Sequence, residues 1–345
     1  MVHRTCRILF LLVLMVESIH CRAQDMQQAQ FYAFPVLMNP AFAGNMEFDC
    51  KDLRSNLRAS LQSRRQWSAF KSDAFALELF RKKSRLGFAL LFRSQRQSGS
   101  RLQTTSSGAA VSHRLSLGDN WHMASGLQFN LVHRNFDFRD FRFTDQFSDK
   151  GFSGQNTADN LASANPAGTY ADLSAGTLFF TRLFWTGISV HHANQPVVSD
   201  FSDHRLPVKF SLQAGYKFEF RSDPNFGLFK RDISLHPVWL LRWQNPFAQM
   251  DAGIYYNYEP FFGGLIYRGL GLFRRDADGL ASQDAAVFLL GIKKDGFRLG
   301  YSLEVNLKRK TYGGFPTQEL TLSFQYARKG CLRRRFGKWI SAPVF

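Results

Sequence analysis

The chain has 345 residues, and its 44 Lys and Arg outnumber 27 Asp and Glu, giving a formal net charge of +17. Four cysteines in such a length exclude a disulfide-built scaffold and a zinc ribbon. A basic balance of this size points to nucleic acid, acidic lipid or an acidic protein, and the destination of the chain decides among them.

The first element settles that destination. Arg4 and Arg7 form a positive start, Ile8 to Val16 is an apolar run, and "CRA" ends on the small residue Ala23. This layout predicts a secretory leader over 1–23, with a lipoprotein signal at Cys21 as an alternative that His20 fits poorly. No stretch reaches the ~18 apolar residues that a spanning helix needs. Removing the leader takes three arginines and Glu17 with it, so the mature chain carries +15 and keeps only Cys50 and Cys331. Export argues against nucleic acid and leaves outer-membrane lipid, lipopolysaccharide or an acidic protein as the partner.

Residues 24–52 come next, with "FYAFPVLMNPAFAG" (31–44) at their centre. The segment is too apolar for a free tail and too broken by Pro35, Pro40 and Gly44 for one helix or strand. From 53 to 328 the dominant pattern is alternation. In "VKFSLQAGYKFEF", Phe210, Leu212, Tyr216 and Phe218 oppose Lys209, Gln213, Lys217 and Glu219, and "FRLGYSLEVNLK" and "ELTLSFQYA" split the same way. Such segments are strands with one apolar and one polar face. Several exceed the usual ~5–6 residues of soluble sheets.

About fourteen of them fit the even count of an outer-membrane β-barrel. Connections at 94–100, 139–168, 195–206, 269–283 and 306–315 are long on one face. "RKKS", "LGDN", "TR", "NYEP" and "KKDG" are tight turns on the other, where 221–230 is longer; the turns near Arg64–Ser68 and "QNPF" (244–247) are short on the first face, so the asymmetry is imperfect. Aromatics in "LFWTG" (183–187), "IYYNYEPFF" (254–262) and "FQY" (324–326) suit interfacial girdles. A secreted β-sandwich alternates too, but rarely needs so many long strands. Residues 329–345 form a basic tail around Cys331, placed in the periplasm, which suits an acidic partner surface or inner-leaflet phosphates.

Chemistry-bearing patterns are sparse. "ANPAGTY" and "GLGLFRRDADG" lack a phosphate-cradle pattern. His191 and His192 have no third ligand at metal spacing, so neither a metal nor a cofactor is expected, and alternation predicts one ring in the lumen and its neighbour outward. Ser189 and His191 share a face without a catalytic motif, so a non-enzymatic protein is expected, and an outer-membrane hydrolase is the weakest alternative.

The opening "QDMQQAQFYAFPVLMNPAFAG" carries Asn39, Pro40, Ala41 and Gly44, and "SRRQW" carries Gln66 and Trp67. "GISVHHANQPV" holds His192, Gln195 and Pro196, and "GGLIYRG" holds Tyr267 and Arg268. "GYSLE" holds Gly300, Tyr301 and Ser302, "PTQELTLSFQY" holds Glu319, and "ISAPVF" ends the chain. In this order and spacing they resemble the PorP/SprF family of outer-membrane proteins, which belong to the type IX secretion and gliding-motility machinery of Bacteroidetes-type bacteria. Departures are Leu303 and Glu304 where the family commonly has Tyr-Asp, Ala193 where it often has Leu, and Ala342 before Pro343. The resemblance implies a role in protein secretion, with periplasmic type IX components and a secreted cargo or adhesin as partners. A pore or hydrophobic-solute channel is the main alternative.

Two structural expectations follow from a barrel. Its interior is wider than its own side chains fill, so residues 31–44 find burial there as a plug, with Asn39 bonded to backbone or lumen polar groups; the alternative is a periplasmic arm awaiting a partner. Cys50 precedes the first strand and Cys331 follows the last, which places a disulfide at the closing seam.

Overall fold

A computed structural model describes residues 28–45, 55–67, 69–99, 101–136, 142–148, 151–158, 167–198, 205–220, 233–245, 247–269, 284–294, 296–307 and 316–327. The leader, Cys50, Cys331 and the basic tail lie outside these residues.

The first half of the wall is β1 (Ser55–Gln66), β2 (Phe70–Arg81), β3 (Leu86–Gln97), β4 (Leu102–Ser116) and β5 (His122–Phe136). A small hairpin, β6 (Phe147–Ser148) with β7 (Gly151–Phe152), sits in the connection to β8 (Gly168–Phe180). Then come β9 (Phe184–His191), β10 (Lys209–Tyr216), β11 (Phe218–Phe220), β12 (Ile233–Gln244) and β13 (Phe247–Tyr258). The wall ends with β14 (Phe261–Arg268), β15 (Ala285–Lys294), β16 (Phe297–Asn306) and β17 (Thr317–Ala327).

Every wall neighbour is antiparallel, and β1 pairs with β17 over Asn56↔Ala327 to Arg65↔Gln318. β10 and β11 lie end to end along β12, which joins the two halves and leaves fourteen positions around a closed barrel. Pairing the first strand with the last leaves the described wall without a terminal edge strand, so its backbone ladders are largely closed against lipid. The connections divide broadly as the sequence predicts, except that β3 runs on to Gln97 and β4 starts at Leu102, so the expected long connection at 94–100 is a short turn. One rim has 82–85, 117–121, 181–183, 259–260 and 295–296, with a longer 221–232; the other carries 137–167, 192–208, 269–284 and 307–316.

Burial along the strands inverts the soluble-protein order. Leu290 is 73% exposed, Leu127 64% and Leu90 59%, whereas Gln213, Glu78 and Glu319 are at most 1% exposed. An outer belt of Leu, Ile and Phe with polar groups inside is the arrangement that lipid imposes. Phe210, Leu212, Tyr216 and Phe218 face out and Gln213 faces in, as the alternation predicts.

The interior departs from a simply polar lumen. Ala74, Ala76, Ala89, Leu91, Ala110, Leu178, Leu240, Ile266, Val287 and Leu289 point inward and form one core with Phe31, Phe34, Val36, Phe42 and Ala43. Three aromatics assigned to girdles also belong there: Trp185, Tyr255 and Phe262 are each under 10% exposed. Alternation fixes which face a residue takes, and it does not say that part of the inner face is apolar because chain, rather than water, lies against it.

Candidate functional site

The site is the meeting of residues 28–45 with the inner wall. Pro35 opens the one-turn helix α1 (Pro35–Met38), and Pro40 opens a 3-10 turn (Pro40–Phe42). Proline fits the first helical position because its missing N–H would have no partner there. The Asn39 side chain accepts a hydrogen bond from Ala41 N at 2.9 Å and caps the 3-10 turn.

The segment is held at three places. At its start, the Glu319 carboxylate accepts from Ala29 N at 2.8 Å and Gln30 N at 2.9 Å, and also from Gln62 Nε2 at 2.7 Å and Arg64 Nη1 at 3.0 Å. Gln30 Nε2 donates to Ser302 Oγ at 3.1 Å and Glu319 O at 2.7 Å, while Thr321 Oγ1 and Tyr32 Oη both donate to Gln30 Oε1. Arg268 Nη2 donates to Gln28 O at 2.7 Å. In the middle, Asn39 Nδ2 donates to Ile188 O at 3.0 Å and Thr177 O at 3.3 Å, and Ser189 Oγ donates to Met38 O at 2.9 Å. At the far end, Gly44 N donates to Glu78 Oε2 at 3.1 Å, Ser112 Oγ donates to Ala43 O at 2.7 Å, and Arg114 donates to Asn45 Oδ1. The three anchors lie on β1/β14/β16/β17, on β8/β9 and on β2/β4, so the segment crosses the interior.

Glycines make the close approach. A Cβ at Gly126 would meet Pro40 C and O at 2.5 Å, one at Gly176 would meet Asn39 Oδ1 at 2.0 Å, and one at Gly300 would meet Tyr32 Oη at 2.1 Å. Gly44 has φ +65, where its own Cβ would also strike Leu79 O at 2.5 Å. Aromatic edges fill the remaining space. Tyr255 packs edge-on against Phe31 and Tyr32 at 5.7 Å, Phe262 against Tyr32 at 5.5 Å and Trp185 against Phe42 at 5.6 Å.

Under the segment's start runs a buried ion network. Arg64 bridges Glu304 at 2.9 Å and Glu319 at 3.0 Å; Arg268 bridges Glu304 at 2.8 Å and Asp251 at 3.1 Å, and Arg242 pairs with Asp251. Three cations meet three carboxylates, so the network is neutral. Such networks gain little net stability because desolvation offsets attraction, and removing one member leaves a buried charge unpaired.

Asn39, Pro40, Ala41, Gly44, Arg268, Gly300, Ser302 and Glu319, scattered along the chain, thus meet in one assembly. Tyr267 sits between Ala252 and Ala286 on the outer face, and Tyr301 is 44% exposed there. Gln66 ends β1 and accepts from Arg64, and Trp67, at φ 51 in the following turn, stands edge-on to Phe70.

The "HHANQP" stretch ends β9 early, so β8 pairs with it only over Ala175–Phe180. Beyond that, the Asn194 side chain replaces the missing ladder: it accepts from Leu173 N at 3.0 Å and donates to Ala171 O at 2.7 Å. Gln195 N donates to His192 O at 3.0 Å, and Pro196 O accepts from Leu206 N at 3.0 Å. The expectation that the two histidine rings point to opposite sides fails, since both are buried. His192 leaves the strand at φ 57, and its Nδ1 comes within 2.9 Å of inward Asp172 Oδ1. His191 Nε2 lies 3.1 Å from Met38 O, so Ser189 and His191 both contact one segment carbonyl. Among the described residues no group of three or more His, Cys, Asp and Glu gathers as metal ligands.

Sequence reasoning missed Gln30, Glu78, Gly126 and Gly176, weighed Ser189 only as a catalytic residue, and read Tyr255 as a girdle aromatic. The available signal was glycine and carboxylate at inward register of long strands, where a lumen that holds water needs neither.

Among solved structures, the Pseudomonas putida toluene transporter TodX is similar at 8% identity and TM-score 0.45, covering 88% of this chain and 94% of that one. The Ralstonia pickettii toluene transporter TbuX gives 8% and 0.44, over 86% and 93%. CdiB from Acinetobacter baumannii gives 9% and 0.42, and the match spans 79% of this chain and 60% of that one. Likeness this low says nothing of what the chain binds. No curated protein matches the sequence. The family model described as type IX secretion system membrane protein PorP/SprF matches residues 20–324. The chain belongs to the PorP/SprF family of type IX secretion system membrane proteins.

Proposed function

We propose that the protein is a non-enzymatic outer-membrane component of type IX secretion that supports export or surface attachment of a cargo or adhesin. The observation that carries this reading, beyond the family, is that residues 28–45 are anchored across the interior of the barrel. The segment occupies lumen that an open channel would leave to solute, and it acts here as a plug. In this reading the short-turn rim faces the periplasm and its partner components, the apolar belt contacts lipid and lipopolysaccharide, and the long loops face the cell exterior. Engagement of Ser189 and His191 with the segment also speaks against a hydrolase.

The units would be a leader (1–23), a plug segment (24–52), a barrel (53–328) and a periplasmic tail (329–345). Pairing of Asn56 with Ala327 favours a Cys50–Cys331 disulfide across the seam, and non-reducing electrophoresis against Cys50→Ser tests it.

Deletion of the gene in its native host tests the main reading. Specific exported or surface proteins are expected to accumulate in the periplasm, while the purified barrel passes no solute in liposomes. An unchanged set of exported proteins, with steady flux through the pure protein, would favour the channel.

A further inference from the structure

A cavity of about 540 Å³ lies between the segment and the long-loop rim, with Leu37 of the segment among its lining residues. We propose that it binds a small organic anion, whose oxyanion sits between Arg93 and Arg134. The volume falls within the ~300–1,000 Å³ range of small-molecule sites and is too small for a folded domain.

Both arginines line the cavity from inward positions. Arg93 stands opposite Ser106 and Arg134 opposite Thr104, so two hydroxyl residues on β4 separate the two arginines along the wall. Neither arginine forms a hydrogen bond or an ion pair among the described residues. Nearby carboxylates are committed elsewhere. Glu304 belongs to the neutral network, and Asp172 holds His192 at 2.9 Å and accepts from Asn130 at 3.3 Å. Among the described residues Asp172 is then the one lining carboxylate outside that network, and the two arginines outnumber it, so the wall stays cationic.

Guanidinium forks match the geometry of carboxylate and phosphate. Leu91, Val132 and Leu206 add an apolar wall, so the ligand carries an apolar body and an oxyanion. None of this depends on the secretion reading.

The test is a fluorine-detected NMR titration of the full chain in lipid nanodiscs. The probes are 4-fluorobenzoate, 4-fluorophenyl phosphate and neutral 4-fluorobenzamide. An oxyanion probe is expected to bind saturably and at least tenfold more tightly than the amide, and the tighter of the two names the preferred headgroup. Arg93→Gln with Arg134→Gln should weaken it at least tenfold. Arg65→Gln with Arg81→Gln removes the same charge from the outer face and should change nothing. Heat-modifiable mobility reports assembly; if the double variant fails to assemble, Arg93→Gln alone should weaken binding at least threefold. Equal binding of the amide, no saturation, or unchanged affinity in the lumen variants would overturn the proposal.

Discussion

Gly126→Ala separates the barrel wall from what lies against it. The new methyl would stand 2.5 Å from Pro40 C and O and 2.6 Å from Ala41 N, all backbone atoms. Ordinary contact begins near 3.4 Å, so the segment must retreat by about 0.9 Å, beyond what Asn39's bonds of 3.0 and 3.3 Å to β9 and β8 tolerate. Overpacking of this kind costs roughly 1–3 kcal/mol. In a chain lacking residues 28–45 the sign reverses, because Ala is favoured over Gly within regular structure by roughly 0.5–1 kcal/mol. The coupling between substitution and segment is thus about 1.5–4 kcal/mol. Urea unfolding in lipid vesicles, followed by heat-modifiable mobility, measures all four corners of the cycle. If Gly126→Ala destabilises the full-length and truncated chains equally, the wall glycine is not there for the segment, and the cradle is wrong.

Further outcomes follow from the same geometry. Leu212→Arg puts a charge on the outer belt and should lose about 2–4 kcal/mol in vesicles, whereas Thr104→Arg, facing the cavity, should assemble normally; Gln213 is no control, because its inward side chain is fully buried. Asn194→Ala removes the side chain that completes the β8 ladder, and should cost about 1–3 kcal/mol, with faster hydrogen exchange at Leu173. Thr157 Oγ1 and Ala158 N donate to the Asp145 carboxylate at 2.7 and 2.6 Å and hold its pKa below the ordinary carboxylate value. A depressed pKa means the contact is present above the ordinary value and is lost as pH falls through the lowered one. The Ala158 amide shift should therefore titrate below ~3.9 and stay flat in Asp145→Asn.

The wall was legible because lipid imposes period two, and fourteen alternating stretches with tight turns on one rim admit little else. Face was legible and neighbour was not. Alternation placed Ser302 and Glu319 inward, but their partner Gln30 lies 272 and 289 residues away in sequence. Trp185, Tyr255 and Phe262 sit near strand ends as girdle residues do, and only the segment across the lumen distinguishes them. His192 shows the other limit: a left-handed backbone angle at the end of β9 turns its ring to the side that alternation assigns to its neighbour. The family's "NPAFAG" and "GYS" stretches gave no physical reason for their wording until Asn39 and Tyr32 were seen against Gly176 and Gly300.

Single-channel conductance in planar bilayers tests the central claim most directly, comparing the mature chain with one lacking residues 25–44. The intact protein should be closed or pass only small currents, and the deletion should open a stable pore of clearly higher conductance. The same conductance from both would mean that the segment does not close the barrel.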